Sequence, residues 1–81
     1  MAKAVKKTVD TDATQLTPGG CLATIKSASG DLFLGGEDVT PETGMPYGAS
    51  DGPMVFALEY QEGLYAIAES GSETIHVLET W

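Results

Sequence analysis

The sequence predicts a single small all-β domain: an antiparallel β-sandwich or barrel of short strands, with a flexible N-terminal arm. Three observations predict this class. The chain of 81 residues has room for one domain. Its ten glycines and four prolines are spread so that short strands alternate with turns. No segment repeats apolar residues at the period of an α-helix.

The first sixteen residues are expected to form a basic arm outside the sandwich, which is expected to occupy residues 17–81. Residues 1–7 contain three lysines but no apolar stretch, so they predict a flexible segment and not a signal peptide. Residues 8–14 are rich in threonine and could form an edge strand, because β-branched side chains fit a pleated surface. Residues 17–20 contain Pro and two Gly and predict a turn.

The first strand of the predicted sandwich covers residues 21–26. Side chains alternate between the two faces of a strand, so Cys21, Ala23 and Ile25 are expected to share one face. A turn is predicted at residues 27–31, where Gly, Ser and Asp are concentrated.

A long loop separates the next predicted strands. A short apolar strand over residues 32–34 is followed by residues 37–52, which are rich in Gly, Pro, Thr and acidic residues. Loops of this length are often functional. Residues 64–68 and 74–78 predict a hairpin of two central strands. The strongest strand pattern lies between the loop and this hairpin, with four core-facing side chains: Met54, Phe56, Leu58 and Tyr60.

The charge of the chain excludes some partners. Twelve acidic residues oppose four lysines, giving a net charge of −8, and all four lysines lie in the first third. Because nucleic-acid phosphates bind Lys and Arg, the acidic body is not expected to bind nucleic acid. No apolar run approaches the ~20 residues that span a bilayer, so no membrane partner is expected and synthesis is expected in the cytoplasm. The single cysteine leaves a small core without a disulfide, which predicts support from other subunits.

Few residues are candidates for chemistry. Cys21 and His76 are the only thiol and imidazole, and both lie in predicted strands. We expect Cys21 to be packed and His76 to face solvent or a partner. Glu37, Asp38 and Glu42 could offer oxygen ligands to Ca²⁺, but their spacing matches no EF-hand, and a solvated acidic loop is the simpler interpretation. We therefore expect no enzymatic activity, no catalytic residue, no cofactor and no metal.

Two stretches carry a distinctive pattern. Residues 32–46 read Leu-Phe-Leu-Gly-Gly-Glu-Asp-Val-Thr-Pro-Glu-Thr-Gly-Met-Pro, and residues 64–71 read Leu-Tyr-Ala-Ile-Ala-Glu-Ser-Gly before a closing strand. Over residues 20–79 the pattern of turns and strands resembles small virion proteins of tailed bacteriophages. The resemblance implies architectural roles, with glycines at positive φ and polar side chains bonding the loop backbone. The positions concerned are Gly35, Gly36, Asp38, Val39, Thr40, Gly44 and Pro46.

The resemblance also implies a role and partners. It points to a capsid decoration protein on the outer surface of a phage head, bound to the major capsid protein. The small core separately allows a homo-oligomer, trimeric or other, to supply the missing support. The expected contact residues are Lys3, Lys6, Lys7 and Trp81, although the lysines could simply be solvated and Trp81 could cover the edge of the core. Two alternatives stay open: a receptor- or glycan-binding module of a head or tail fibre, with Tyr47 as its aromatic platform, and a head–tail joining component.

Overall fold

The structure, a computed structural model that describes residues 1–27 and 30–81, confirms the all-β class. Within these residues two four-stranded antiparallel sheets pack together as a small β-sandwich. The strands are β1 (Ala2–Val9), β2 (Thr14–Thr17), β3 (Cys21–Ser27), β4 (Leu32–Gly35), β5 (Met45–Tyr47), β6 (Met54–Leu58), β7 (Leu64–Ile67) and β8 (Glu73–Thr80). The turn predicted at 27–31 lies partly outside the described residues.

The two sheets enclose the core. Sheet A has the order β1-β8-β3-β6, and sheet B has the order β2-β7-β4-β5. Alternation along each strand sends every second side chain inward, so the predicted shared face of Cys21, Ala23 and Ile25 is confirmed as buried. The main cluster comprises Val9, Leu16, Ile25, Leu32, Leu34, Tyr47, Leu64, Ala66, Ala68, Ile75 and Val77.

The flexible arm predicted for the N-terminus is wrong. Strand β1 pairs with β8 at every position from Ala2 to Val9, and Val9 is fully buried. Strand β2 then crosses the expected boundary between residues 16 and 17 and joins sheet B. The prediction failed because lysines do not distinguish a flexible arm from an edge strand. An edge strand tolerates charged side chains that a central strand would bury.

The predicted hairpin near the C-terminus is also wrong, although both of its strands exist. Strand β7 lies in sheet B and β8 lies in sheet A, so the connection between them crosses from one sheet to the other. Each strand has two neighbours, β7 between β2 and β4 and β8 between β1 and β3. These two apolar strands are consecutive in the sequence, but each occupies a central position in a different sheet.

The predicted long loop contains regular structure. It includes β5 and a 3₁₀ helix, Ala49–Asp51, where the carboxylate of Asp51 accepts a hydrogen bond of 2.7 Å from the backbone N–H of Gly48. In the following strand, Met54, Phe56 and Leu58 pack on the core as predicted. Tyr60 does not, because β6 ends two residues earlier and a turn at residues 59–62 leaves its side chain exposed.

Candidate protein-docking face

The outward-facing side chains of sheet A meet in rows across the strands. On β8, Ile75 and Val77 point into the core, so His76 points outward and is exposed, as predicted. In the register of the sheet, Lys6 of β1 lies opposite His76, and Lys26 of β3 lies opposite it on the other side. Directly opposite side chains have Cβ atoms about 4.5–5.5 Å apart, so these three nitrogen-bearing groups form one continuous row.

Two rows that hold mostly apolar side chains follow the basic row on the side of Thr80. Leu78 lies opposite Ala4 and Thr24, and Thr24 lies opposite Val55. The side chains of Leu78 and Val55 are 42% and 62% exposed, which is high for large apolar residues. We call this side of sheet A the docking face: Ala4, Lys6, Leu22, Thr24, Lys26, Val55, Ala57, His76, Leu78 and Thr80.

The docking face differs in charge from the rest of the molecule. None of the outward-facing strand positions that the structure describes in sheet A carries a carboxylate, although the chain has twelve acidic residues. The two glutamates of β8, Glu73 and Glu79, lie on its other side. Lys6, Lys26, His76 and Leu78 line a shallow depression in this face. An apolar surface with a positive margin therefore lies on a strongly acidic protein.

The structure separates the four predicted contact residues. Lys6 belongs to the docking face, whereas Lys3 and Lys7 alternate with it and lie on the other side of β1. Trp81 continues past β8, where its backbone N–H donates a 2.9 Å hydrogen bond to the carbonyl oxygen of Met1. Its side chain is 58% exposed at the end of the sheet, beside Cys21 and Leu58 and away from the basic row.

Most of the docking face was missed from the sequence. The prediction made β8 a central strand and β3 a strand with one buried face, and among their outward positions it assigned a partner-facing role only to His76. A signal was present, because the alternate positions Leu22-Thr24-Lys26 and His76-Leu78 avoid carboxylates in an otherwise acidic chain. Register between strands was needed to join these positions into one surface.

Cys21 and His76 lie on opposite faces of sheet A, so they cannot act together on one substrate. The thiol of Cys21 is buried, 3.5 Å from Oγ1 of Thr17 and 3.9 Å from Oε2 of Glu79. The hydroxyl of Thr17 donates a 2.8 Å hydrogen bond to that carboxylate. This polar contact joins β2 of sheet B to β8 of sheet A and has an evident structural role.

In the part of the chain that the structure describes, the acidic loop contains no metal site. No group of three or more Asp, Glu, His or Cys side chains there is close enough to hold an ion, and Glu37, Asp38 and Glu42 are exposed. In the same residues, no helix has the length and apolar character needed to cross a bilayer.

Gly35 and Gly44 are needed for close packing of the loop. Gly35, Gly36 and Gly44 do not adopt positive φ, so that prediction is wrong. A Cβ atom at Gly35 would lie 2.8 Å from Cγ2 of Val39, which is buried, and one at Gly44 would lie 2.6 Å from Cβ of Phe33. The loop therefore closes tightly over Val39, which only a missing side chain at these two glycines allows.

Hydrogen bonds between Thr40 and Thr43 hold the same loop. Thr40 bonds the loop backbone as predicted: its Oγ1 accepts a 3.2 Å hydrogen bond from the N–H of Thr43, whose own Oγ1 accepts one of 3.1 Å from the N–H of Thr40. Pro46 lies in β5 opposite Phe33, and Asp38 is exposed.

Tyr47 cannot serve as a sugar-binding platform. Its side chain is 1% exposed, and its hydroxyl lies within hydrogen-bond distance of the carbonyl oxygens of Ile25 and Gly52. A stacking platform needs an accessible ring face, so the aromatic residue proposed for glycan binding belongs to the core.

Comparison with known proteins gives no further assignment: no family model, curated protein or solved structure matches this chain. The function is therefore inferred from the docking face and from the sequence pattern.

Proposed function

We propose that this protein is a non-enzymatic structural component of a tailed-phage virion, a capsid decoration protein that binds the outer surface of the head. The observation that carries the proposal is the docking face, an apolar, carboxylate-free surface on a chain of net charge −8. The phage setting comes from the sequence resemblance of residues 20–79.

The two parts of the docking face have different tasks in this proposal. The apolar centre, with Leu22, Val55 and Leu78, loses contact with water when it meets the major capsid protein. The row of Lys6, His76 and Lys26 pairs with carboxylates of the capsid and fixes orientation, because charge complementarity mainly sets specificity and association rate.

The acidic residues of the rest of the molecule then face away from the shell. A negative outer surface repels other particles of the same charge, which favours dispersed virions. Binding to the shell also adds apparent stability by mass action, which suits a domain whose core is built from few large side chains. In this proposal the protein is made in the bacterial cytoplasm and resides on the virion.

The proposal is tested with heads assembled from the major capsid protein of the genome that encodes this chain. Purified protein is mixed with such heads, and bound protein is measured after sedimentation. Leu78→Glu is expected to lose most of the bound signal, since a carboxylate then lies in the centre of the docking face.

The control is Gln15→Glu in sheet B, which also adds one carboxylate, because Gln15 is exposed and lies opposite Tyr65 on the outer face of that sheet. Gln15→Glu is expected to bind like the unmodified protein. Equal binding by both variants would show that the docking face is not the contact, and no binding by the unmodified protein would overturn the capsid role.

A further inference from the structure

The two edges of sheet A differ in a way that docking on a capsid does not require. Edge strand β1 carries three lysines, Lys3, Lys6 and Lys7. The opposite edge strand, β6, reads Met-Val-Phe-Ala-Leu and has no charged or polar side chain. Proteins commonly protect edge strands from pairing with other chains by placing Lys or other charges on them. Strand β1 has that protection and β6 lacks it.

Strand β6 is apolar on both of its faces. Val55 and Ala57 are exposed on the docking face, while Met54, Phe56 and Leu58 pack against the core but remain only partly buried. In the described residues β6 pairs with β3 along one side, which leaves a free edge of backbone N–H and C=O groups on the other. A strand added there would satisfy these groups and cover both apolar faces.

We propose that this strand comes from a second copy of the same chain, and that β6 pairs antiparallel with β6 about a twofold axis at Phe56. In this register Phe56 lies opposite Phe56 of the second copy, Met54 opposite Leu58, and Val55 opposite Ala57. Each pair joins side chains of the same face, because antiparallel pairing centred on a residue preserves the alternation.

Charge selects β6 over β1 as the partner strand. Pairing β6 with β1 of another copy in a continuous sheet would place Lys3 and Lys7 on the core side, against the apolar side chains of β6. Covering those ammonium groups beside Met54 or Leu58 would cost free energy without supplying a directly opposed carboxylate in the strand. Pairing with β6 of a second copy instead brings only uncharged side chains together on both faces of the sheet.

The proposed dimer extends the proposed function and does not depend on it. The axis runs perpendicular to the sheet, so both docking faces lie on the same side of a continuous eight-stranded sheet. Two linked faces bind a repeated surface more tightly than one. Because each chain has a net charge of −8, association is expected to strengthen as salt screens the repulsion.

The register is tested by disulfide trapping in a Cys21→Ala background, which removes the buried native thiol. Phe56→Cys is expected to form a covalent dimer on mild oxidation, since opposite residues have Cα atoms about 4.5–5.5 Å apart, within the range that a disulfide spans. Val5→Cys on the β1 edge is the matched control and is expected to stay monomeric. Cross-linking of Phe56→Cys with Val5→Cys in a mixture, but not of Phe56→Cys with itself, would overturn the proposal in favour of head-to-tail pairing.

Sedimentation of the chain without engineered cysteines keeps the proposal testable if Phe56→Cys fails to fold. At 0.5 M NaCl the protein is expected to reach the mass of two chains at micromolar concentration. Ala57→Lys is expected to remain a monomer, whereas Ala4→Lys, at an exposed position of β1, is expected to dimerise. A monomer at every concentration and salt level would overturn the proposed dimer. Binding to heads is measured in a separate assay, so the proposed function would not be overturned by this result.

Discussion

The hydroxyl oxygen of Tyr47 in sheet B lies 3.1 Å from the backbone carbonyl oxygen of Ile25 in sheet A. The same oxygen is 2.6 Å from the carbonyl oxygen of Gly52, at the end of the 3₁₀ helix. One buried phenol therefore links β5, β3 and the segment that leads into β6. Through this link, residues that the sequence predicted to be part of a long loop help to position β6, which is an edge strand of sheet A.

Replacing Tyr47 with Phe is expected to destabilise the fold by about 1–2 kcal/mol, since the phenol's hydrogen bond is lost inside the protein. Urea unfolding followed by circular dichroism measures the change. Tyr65→Phe is the control, because the hydroxyl of Tyr65 accepts only an exposed 3.3 Å hydrogen bond from Gln15 among the bonds described. Equal losses for the two variants would contradict the assigned role of Tyr47.

Replacing Thr17 with Val is expected to cost about 1.5–3 kcal/mol, the range for hydrogen bonds to charged groups. Thr17 is 1% exposed, and its hydroxyl is bonded to the carboxylate of Glu79 across the two sheets. Thr24→Val removes a half-buried hydroxyl on the docking face and is expected to change the free energy of unfolding by less than about 0.5 kcal/mol. Denaturant titration of both variants distinguishes the buried contact from a general threonine effect.

Replacing Gly44 with Ala is expected to destabilise the protein by about 1–3 kcal/mol through overpacking. The added Cβ would lie 2.6 Å from Cβ of Phe33 and 2.9 Å from Cγ2 of Val39. Gly36→Ala is the matched control, since its Cβ would meet its nearest neighbour at 3.7 Å. Thermal unfolding should show a lowered midpoint for the Gly44 variant alone, and a lowered midpoint for both would argue for a general backbone effect.

Replacing His76 with Glu is expected to stabilise the folded chain by about 0.5–1 kcal/mol at low salt, because cross-strand pairs of opposite charge replace the basic row. Lys6 and Lys26 flank this position in register. The gain should shrink as salt screens the charges, and His76→Gln should show little salt dependence. In the head-binding assay the same Glu variant is expected to bind less, so stability and docking should change in opposite directions.

Much of the fold could be predicted because alternation is a local property. The inward positions of β3 and β6 followed from the alternation of side chains between the two faces of a strand, which puts Cys21, Ala23 and Ile25 on one face and Met54, Phe56 and Leu58 on one face. The arm and the hairpin were predicted wrongly because both depend on which strand becomes the neighbour. The three lysines of residues 1–7 are compatible with an edge strand as well as with a flexible segment, and only pairing with β8 distinguishes the two.

The candidate site was predictable only in fragments. Lys6 and His76 were recognised as charged or partner-facing residues, but they are seventy positions apart and nothing local indicates that they are neighbours. Lys26, Leu22 and Leu78 were not predicted as contact residues, because a single exposed residue of any of these types is common.

The sequence by itself determined that this protein is a small, acidic all-β domain without an internal disulfide, since composition and alternation act within a few residues of chain. That the strands form a sandwich and not a barrel followed from their division into two sheets. Tertiary structure alone decided that β7 and β8 belong to different sheets. It also decided that Lys6, His76 and Lys26 form one row, and that an uncharged strand lies at an open edge. These features depend on register and strand order, which contacts between distant segments fix when the common core is buried.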